Sequence, residues 1–280
     1  TLRQHSSYTD VAEFKKPEPF KLRRVNALRS IETNRVLRSE SRRTSYGKTR
    51  LRRHIVGYHI GTMLIYEHFD GGEICPLCRI RKVINERLSE QYLGEGVMED
   101  STRKEVNELG FCKEHFDKLY SLPSKLGLAL QVSTRLKKKT DKLIYKPANV
   151  KDAKKQAEKL IASQKTCVIC KYLDDTMTRY YKTIPHVYKD DPGFKGKIES
   201  GNGFCIEHYA ELIAHANEAG GKQKEYLEVI YNAMRKRLDR LENAIDEFCA
   251  HHDYRKKTEQ MSKEAENSLK DADKVVYGIK

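Results

Sequence analysis

The chain of 280 residues has no tryptophan, only seven prolines and only seven cysteines. It also lacks an apolar run of the roughly 18 to 20 residues that cross a membrane, and the nearest candidate, residues 55–66, is interrupted by glycine and histidine. We therefore predict no integral membrane segment. The first fourteen residues lack the apolar core of a signal peptide, and nothing else favours export, so the cytoplasm is the expected location.

Sequence motifs for catalysis are missing as well. There is no Gly-x4-Gly-Lys-Ser/Thr phosphate-binding loop, no Gly-x-Gly-x-x-Gly and no Gly-x-Ser-x-Gly. Glu114 and Glu207 precede histidines, but the zinc deaminase signature has a different order and spacing, so an acidic residue at a helix start or beside a metal-bound histidine is the preferred interpretation. We predict no catalytic residues and no organic cofactor. Whether the chain is an enzyme stays open, and a binding role is favoured.

Alternating apolar and polar residues, which indicate strands, are almost absent, whereas helical spacing is frequent. Two apolar stripes with helical periodicity follow Cys-x-x-Cys motifs, in residues 80–92 and 172–184. A third stripe steps by three or four positions through residues 227–248. The sequence therefore predicts an all-α fold with a long C-terminal helix.

The net charge of +14 is unevenly distributed. Residues 1–57 hold 15 Lys and Arg against 5 Asp and Glu, and residues 135–166 hold 11 against 3, while the other segments are slightly acidic. The first segment has no sustained periodicity, so we predict a disordered basic arm. It is interpreted as a solvated extension or as a segment translated from upstream of the true start, with an RNA-, ribosome- or membrane-binding tail as the alternative. Residues 135–166 are predicted to form a basic helical connector.

An internal repeat is the strongest feature of the sequence. Cys-x-x-Cys is followed by Gly-Phe-Cys-x-Glu-His in both copies, and the two motifs' facing cysteines are separated by 33 residues in the first copy and by 34 in the second. Two such matches by chance are very improbable in a chain with seven cysteines and ten histidines. The repeat predicts duplicated halves at residues 58–134 and 167–280, the second of which includes the long helix.

Each copy supplies three cysteines and one histidine, a ligand set that zinc binds as a closed tetrahedron. A site with four protein ligands has no open position for substrate, so we predict two structural Zn²⁺ ions per chain. The repeat assigns one ligand set to each half: Cys75, Cys78, Cys112 and His115 in the first, and Cys167, Cys170, Cys205 and His208 in the second. Three alternatives stay open: ligands exchanged between the halves, an iron–sulfur cluster, and redox-active thiols.

The seventh cysteine, Cys249, stands outside the repeat. It follows Ile245 by four residues on the predicted long helix. We therefore expect it to pack in the core as a small hydrophobic residue.

Residues between the cysteines carry a resemblance to a known family. They match the bacterial family catalogued as domain of unknown function 6062, at Tyr58-His59-Ile60, Cys75-Pro76-Leu77-Cys78, Tyr92-Leu93-Gly94-Glu95, Gly110-Phe111-Cys112, His115-Phe116, Leu126-Gly127-Leu128-Ala129-Leu130, Gly203-Phe204-Cys205 and Asp253-Tyr254-Arg255. The resemblance covers about residues 58–280. It implies a cytosolic bacterial protein whose fold starts near Tyr58, and it carries no activity.

Together these features predict a zinc-stabilised cytoplasmic protein that acts as a binding or scaffold module. Its expected partner is another protein. A thiol-redox or zinc-sensing protein that uses the Cys-x-x-Cys pairs is one alternative. An RNA- or ribosome-associated factor that uses the basic segments is another.

Overall fold

The computed structural model describes residues 60–72, 74–252 and 260–279. Regular structure in these residues is entirely helical, which confirms the all-α prediction. The predicted basic arm at residues 1–57 lies outside the described residues, as does the Asp253-Tyr254-Arg255 motif. The α-helices are α1 (Ile60–His68), α2 (Pro76–Leu93), α3 (Asp100–Leu109), α4 (Lys113–Ser121), α5 (Lys125–Leu143), α6 (Val150–Gln164), α7 (Val168–Asp190), α8 (Phe194–Ser200), α9 (Ile206–Ala214), α10 (Gln223–His251) and α11 (Lys263–Val276), with short 3-10 helices at Glu95–Val97 and Ala216–Lys222.

The three predicted apolar stripes form helices α2, α7 and α10. The long C-terminal helix α10 is confirmed and has 29 residues. Ile230 and Met234 of its stripe are buried, whereas Leu227 is 39% exposed. The face of α10 that packs inward includes Tyr226 and Val229 instead. The predicted helical periodicity of α10 was therefore correct. Its buried face is rotated about the helix axis relative to the predicted apolar stripe.

The larger hydrophobic core lies between α1, α2, α7, α8, α9, α10 and α11. Phe194, Phe204 and Tyr226 are its largest fully buried side chains. Cys75, Cys78 and Cys205 belong to the same core. Three candidate metal-ligating cysteines are thus embedded in the main body of apolar side chains.

A smaller core forms where α3, α4 and α5 pack against the ends of α2 and α7. Its buried side chains include Tyr92, Val106, Leu119 and Leu128. Because α2 and α7 contribute to both cores, they form the central pair of the fold. An ion pair links them, with Arg81 Nη2 3.3 Å from Asp174 Oδ1.

The basic segment at residues 135–166 forms the end of α5, a non-helical connection at residues 144–149 and all of α6. Only Gln156 of α6 is buried, and its amide donates to the carbonyl oxygens of Leu143 at 3.0 Å and Tyr145 at 2.9 Å. These bonds attach α6 to the end of α5. The remaining surface of α6 is largely exposed, and its lysines point to solvent.

Membrane-spanning helices were searched for among the described residues. None of the helices there combines the length and the hydropathy that a membrane crossing requires.

Candidate metal centres

The four Cys-containing pairs share one local structure. Each begins with a cysteine at the N-cap of a helix: Cys75 of α2, Cys112 of α4, Cys167 of α7 and Cys205 of α9. The second ligand is the third residue of that helix, so both side chains lie on one side of the first turn. Helix N-termini carry partial positive charge, which favours thiolates there. Four helix starts therefore supply the candidate ligands.

Site 1 joins the start of α2 to the start of α9. It consists of Cys75, Cys78, Cys205 and His208, all of which are buried. His208 Nδ1 lies 3.6 Å from the sulfur of Cys75, 3.4 Å from that of Cys78 and 3.1 Å from that of Cys205. The sulfurs of Cys78 and Cys205 are 3.7 Å apart.

Site 2 joins the start of α4 to the start of α7. It consists of Cys112, His115, Cys167 and Cys170. His115 Nδ1 lies 3.2 Å from the sulfur of Cys112, 3.4 Å from that of Cys167 and 3.2 Å from that of Cys170. The sulfurs of Cys112 and Cys170 are 3.8 Å apart.

Both groups have the dimensions of a four-coordinate metal site. Two sulfurs bound to a common ion at about 2.3 Å in a tetrahedron are about 3.8 Å apart, and a sulfur and a nitrogen are slightly closer. The observed sulfur–sulfur distances of 3.7 and 3.8 Å fit this geometry. Disulfides do not, because all seven cysteines are free and an S–S bond is about 2.05 Å long. The eight residues could therefore hold two metal ions.

The predicted grouping of the ligands was wrong. Cys75 and Cys78 do not share a site with Cys112 and His115; they meet Cys205 and His208 of the other copy. The sequence spacing shows which residues share a helix turn, but tertiary packing decides which turns meet. The Cys-x-x-Cys pair of each copy meets the Cys-x-x-His pair of the other copy. Along the chain, all four ligands of site 2 lie between Cys78 and Cys205 of site 1.

Glycines shape the turns that present Cys112 and Cys205. Gly110 and Gly203 have φ angles of +67° and +73°, a region that residues with a Cβ rarely adopt. A Cβ on Gly203 would also lie 2.7 Å from the carbonyl oxygen of Ala233. The Gly-Phe-Cys sequence therefore requires glycine for its conformation and, at Gly203, for close packing against α10.

An arginine from a neighbouring helix supports each of these turns. Arg135 of α5 donates to the carbonyl oxygens of Val106 at 3.1 Å and Asn107 at 3.2 Å. Arg237 of α10, only 7% exposed, donates to the carbonyl oxygen of Asn202 at 3.0 Å. Sequence analysis did not identify either arginine. Each lies far along the chain from the glycine turn that it supports, and the distance from glycine to arginine differs between the two copies of the repeat.

Charge is redistributed among the side chains of site 1. Hydrogen bonds from Cys75 and Cys78 lower the pKa of Cys205, while burial raises the pKa of Cys75. Burial disfavours the charged form of His208, but hydrogen bonds with Cys205 and Cys78 outweigh it and raise the pKa of His208 to about 9. A cysteine thiolate next to a protonated histidine is therefore favoured in the absence of metal. A bound cation would take the place of these protons.

Site 2 has a different environment. Burial lowers the pKa of His115, against the negative charge of Glu114 and together with the positive charges of Lys118 and Arg81. This direction favours the neutral imidazole that metal ligation requires. Burial raises the pKa of Cys170. His115 and Cys167 are 4% and 6% exposed, but Cys112 and Cys170 are only partly buried.

The C-terminal segment after α11 covers site 1. The backbone N–H of Ile279 donates to the sulfur of Cys78 at 3.4 Å. Gly278, with a φ of +71°, lies so close that a Cβ there would be 3.5 Å from the sulfurs of both Cys78 and Cys205. Sequence spacing gave no sign of this cover, because the segment contains no ligand residue.

Both histidines face their cysteines through Nδ1. The other ring nitrogen, Nε2, is buried in His115 and in His208 and has no hydrogen-bond partner among the described residues. The ring of Tyr181 lies 5.9 Å from that of His208, centre to centre. Packing of neighbouring side chains, rather than a hydrogen bond to Nε2, therefore orients the ring of His208.

The prediction for Cys249 was wrong. Its side chain is exposed on the surface of α10. No residue of α10 after Arg237 is buried, so the last turns of this helix do not pack in a core even where they continue the apolar stripe.

The fold and the ligand sets define a class: an all-helical protein with two candidate metal centres, each of three cysteines and one histidine. The sequence profile of a family described as "Family of unknown function (DUF6062)" matches residues 57–279. The chain belongs to this family, which confirms the resemblance seen in its motifs.

One curated relative comes from Caldicellulosiruptor sp. (strain Rt8B.4). This "Uncharacterized 23.9 kDa protein in xynA 3'region" is 20% identical over 183 residues, which cover 65% of the present chain and 83% of that protein. No solved structure matches the chain.

Proposed function

We propose that the chain is a cytoplasmic binding or scaffold protein whose fold is held together by two structural zinc ions. The observation that carries this proposal is the convergence of eight ligand atoms into two closed sets of three sulfurs and one nitrogen. Sulfur-rich sets of four ligands suit zinc, and a complete protein ligand set leaves no position for a substrate. The proposed role of the metal is therefore structural.

The position of the sites supports a structural role. Site 1 connects ligands 130 and 133 residues apart, and site 2 connects ligands 52 to 58 residues apart. Structural zinc contributes roughly 10 to 16 kcal/mol of apparent binding free energy in small zinc-dependent folds. Contributions of this order would stabilise helices such as α4 and α9, which have only nine residues each.

The surface supports binding to another protein. Leu126 and Leu130 lie one turn apart on α5 and are 72% and 46% exposed, and Tyr120 of α4 is 62% exposed nearby, with Lys125 Nζ 4.2 Å from the centre of its ring. Contiguous patches of exposed apolar side chains are typical of interaction surfaces, so this part of α4 and α5 is the surface proposed to contact a partner. A cytoplasmic location is consistent with seven cysteines that form no disulfide.

Metal content tests the proposal. The full chain, purified without added metal, is expected to contain two zinc ions by elemental mass spectrometry. A zinc chelator should remove them and abolish most of the helical circular dichroism in one transition, because the sites connect distant parts of the chain. Iron with labile sulfide would indicate a cluster instead. Helicity that persists unchanged after complete metal removal would contradict a structural role.

A second candidate function is RNA binding through α6. Lys151, Lys154, Lys155 and Lys159 are exposed on this helix, and none of them forms an ion pair with a carboxylate in the described part of the chain. Unpaired lysines on an exposed helix can bind phosphates. The salt dependence of RNA binding distinguishes this function from a purely solvated surface.

A further inference from the structure

The two metal centres differ in how far solvent reaches their sulfurs. In site 1, Cys75, Cys78 and Cys205 are 2%, 1% and 0% exposed. In site 2, by contrast, Cys112 and Cys170 are partly exposed. Two cysteines of site 2 therefore keep partial contact with solvent, whereas those of site 1 are closed off from it. We expect a small oxidant to reach site 2 more readily than site 1.

The C-terminal segment accounts for part of this difference. Gly278 lies against the sulfurs of Cys78 and Cys205, and the N–H of Ile279 donates to Cys78. A hydrogen bond to a thiolate withdraws electron density and makes the sulfur a weaker nucleophile. The described residues offer no equivalent backbone N–H to the sulfurs of Cys112 or Cys170.

The two partly exposed cysteines also lie close to each other. Cys112 and Cys170 lie on different helices, 58 positions apart in the chain, with their sulfurs 3.8 Å from each other. A disulfide has an S–S distance of about 2.05 Å, so the two sulfurs need to approach by less than about 2 Å. No other pair of sulfurs in the described residues combines this proximity with exposure of both partners.

We propose that site 2 is an oxidant-responsive metal site at which hydrogen peroxide joins Cys112 and Cys170 in a disulfide and releases the metal ion. This inference rests on the proposed function, since it requires a metal at both sites. It makes site 2 the regulated centre and site 1 the permanent one.

The chemistry balances with peroxide as the oxidant. One thiolate attacks an oxygen of hydrogen peroxide, the O–O bond breaks, and a sulfenic acid and hydroxide form. The second thiolate attacks the sulfenic sulfur and displaces another hydroxide, which gives the disulfide. Two thiolates lose two electrons, the peroxide gains them, and two protons from solvent convert the hydroxides into two waters. A metal ion left with one cysteine and one histidine is held weakly and dissociates.

The structural consequence is local. Site 2 lies beside the smaller core, which α3, α4 and α5 form with the ends of α2 and α7. The Cys112–Cys170 disulfide takes over the link between the starts of α4 and α7, while His115 and Cys167 lose the ion that joined them. The larger core and site 1 retain their own contacts, so peroxide is expected to alter this region and to leave the rest of the chain folded.

The test uses the full chain carrying Cys249→Ser, because Cys249 is exposed and would react independently. Metal content is measured first, then zinc release on adding hydrogen peroxide is followed with a chromogenic chelator, and disulfides are mapped by peptide mass spectrometry. We expect release of one zinc per chain, a Cys112–Cys170 disulfide, and recovery of the site after addition of dithiothreitol and zinc.

A truncated variant tests the protection of site 1. Removal of residues 278–280 uncovers Cys78 and Cys205, so peroxide should now release both zinc ions. The inference is overturned if the intact chain releases both ions at the same rate or none, or if the first disulfide involves a cysteine other than Cys112 and Cys170. Protein isolated without metal would refute the proposed function itself, and this inference with it, before any oxidant is added.

Discussion

Cys75 Sγ and His208 Nδ1 lie 3.6 Å apart although 133 positions separate them in the chain. This proximity connects the first ligand pair of the sequence to the last. Site 2 is nested inside that connection, between the start of α4 and the start of α7. The two copies of the repeat are consequently not independent metal-binding units, and neither copy contains a complete site.

The nested grouping predicts how double variants lose metal. If both sites hold zinc as proposed, Cys75→Ser together with Cys205→Ser removes two ligands from site 1 only, so the chain should retain one tightly bound zinc. Cys75→Ser together with Cys112→Ser removes one ligand from each site, so the chain should retain no zinc bound as tightly as in an intact site. Native mass spectrometry of the two purified variants measures the number of bound ions directly.

Independent halves would give the opposite result for this pair of variants. Cys75→Ser with Cys112→Ser would then spare the second half and leave one zinc. Each variant carries two cysteine-to-serine changes, so a difference in metal count cannot come from the number of substitutions.

The glycine turn before Cys205 predicts a large effect of a single methyl group. Gly203→Ala places a Cβ at a positive φ and 2.7 Å from the carbonyl oxygen of Ala233. We expect a loss of about 1 to 3 kcal/mol in the free energy of unfolding. Gly196→Ala is the matched control, because Gly196 is helical and a methyl group added there would meet nothing within 4 Å. It should be neutral or stabilise by up to about 1 kcal/mol in urea denaturation. Equal effects of the two substitutions would contradict this account.

Much of the local structure followed from the sequence, because it depends on neighbours in the chain. Spacing and periodicity in the sequence predicted the helices that begin at Pro76 and Val168 and the ligand positions in their first turns. They also predicted the long helix α10. The pairing of ligand turns was not predictable in this way. It depends on how α2, α7 and α9 pack, and a repeat in sequence is equally compatible with closed and with intertwined copies.

The contacts that complete the sites were missed for a related reason. The guanidinium of Arg237 donates to the carbonyl oxygen of Asn202, and the backbone N–H of Ile279 donates to the sulfur of Cys78. Both residues are far from these partners in the sequence. Neither residue belongs to a metal-binding motif. Only the packing of α10 and α11 brings them to the turn before Cys205 and to the sulfur of Cys78.

Arg237 predicts a second stability difference. Its guanidinium is buried and donates to the carbonyl oxygen of Asn202, directly before Gly203. Arg237→Ala leaves that carbonyl without its donor, and we expect the free energy of unfolding to fall by about 2 kcal/mol. Arg240→Ala, an exposed position on the same helix, should change stability by less than about 0.5 kcal/mol. Urea denaturation measures the free energy of unfolding of both variants. An equal decrease for Arg240→Ala and Arg237→Ala would contradict a specific stabilising effect of the hydrogen bond to Asn202.

The lysine face of α6 predicts salt-sensitive RNA binding if the second candidate function is correct. Each phosphate contact on a single strand contributes about 0.7 to the slope of log affinity against log salt. Replacing Lys151, Lys155 and Lys159 with glutamate should therefore lower the slope by about 2 and weaken binding to a 20-nucleotide polyuridine at low salt. Fluorescence anisotropy of the full chain between 20 and 200 mM KCl measures both quantities.

The control for this experiment changes the same net charge elsewhere. Lys224, Lys236 and Lys270 are exposed on α10 and α11, and their replacement with glutamate alters the total charge by the same amount as the α6 substitutions. A local phosphate-binding surface on α6 requires the α6 variant to lose affinity and the control to keep most of it. Equal losses would mean that only the net charge attracts RNA. A full chain with no salt-dependent binding at 20 mM KCl would eliminate the RNA candidate, because electrostatic attraction is strongest at low ionic strength.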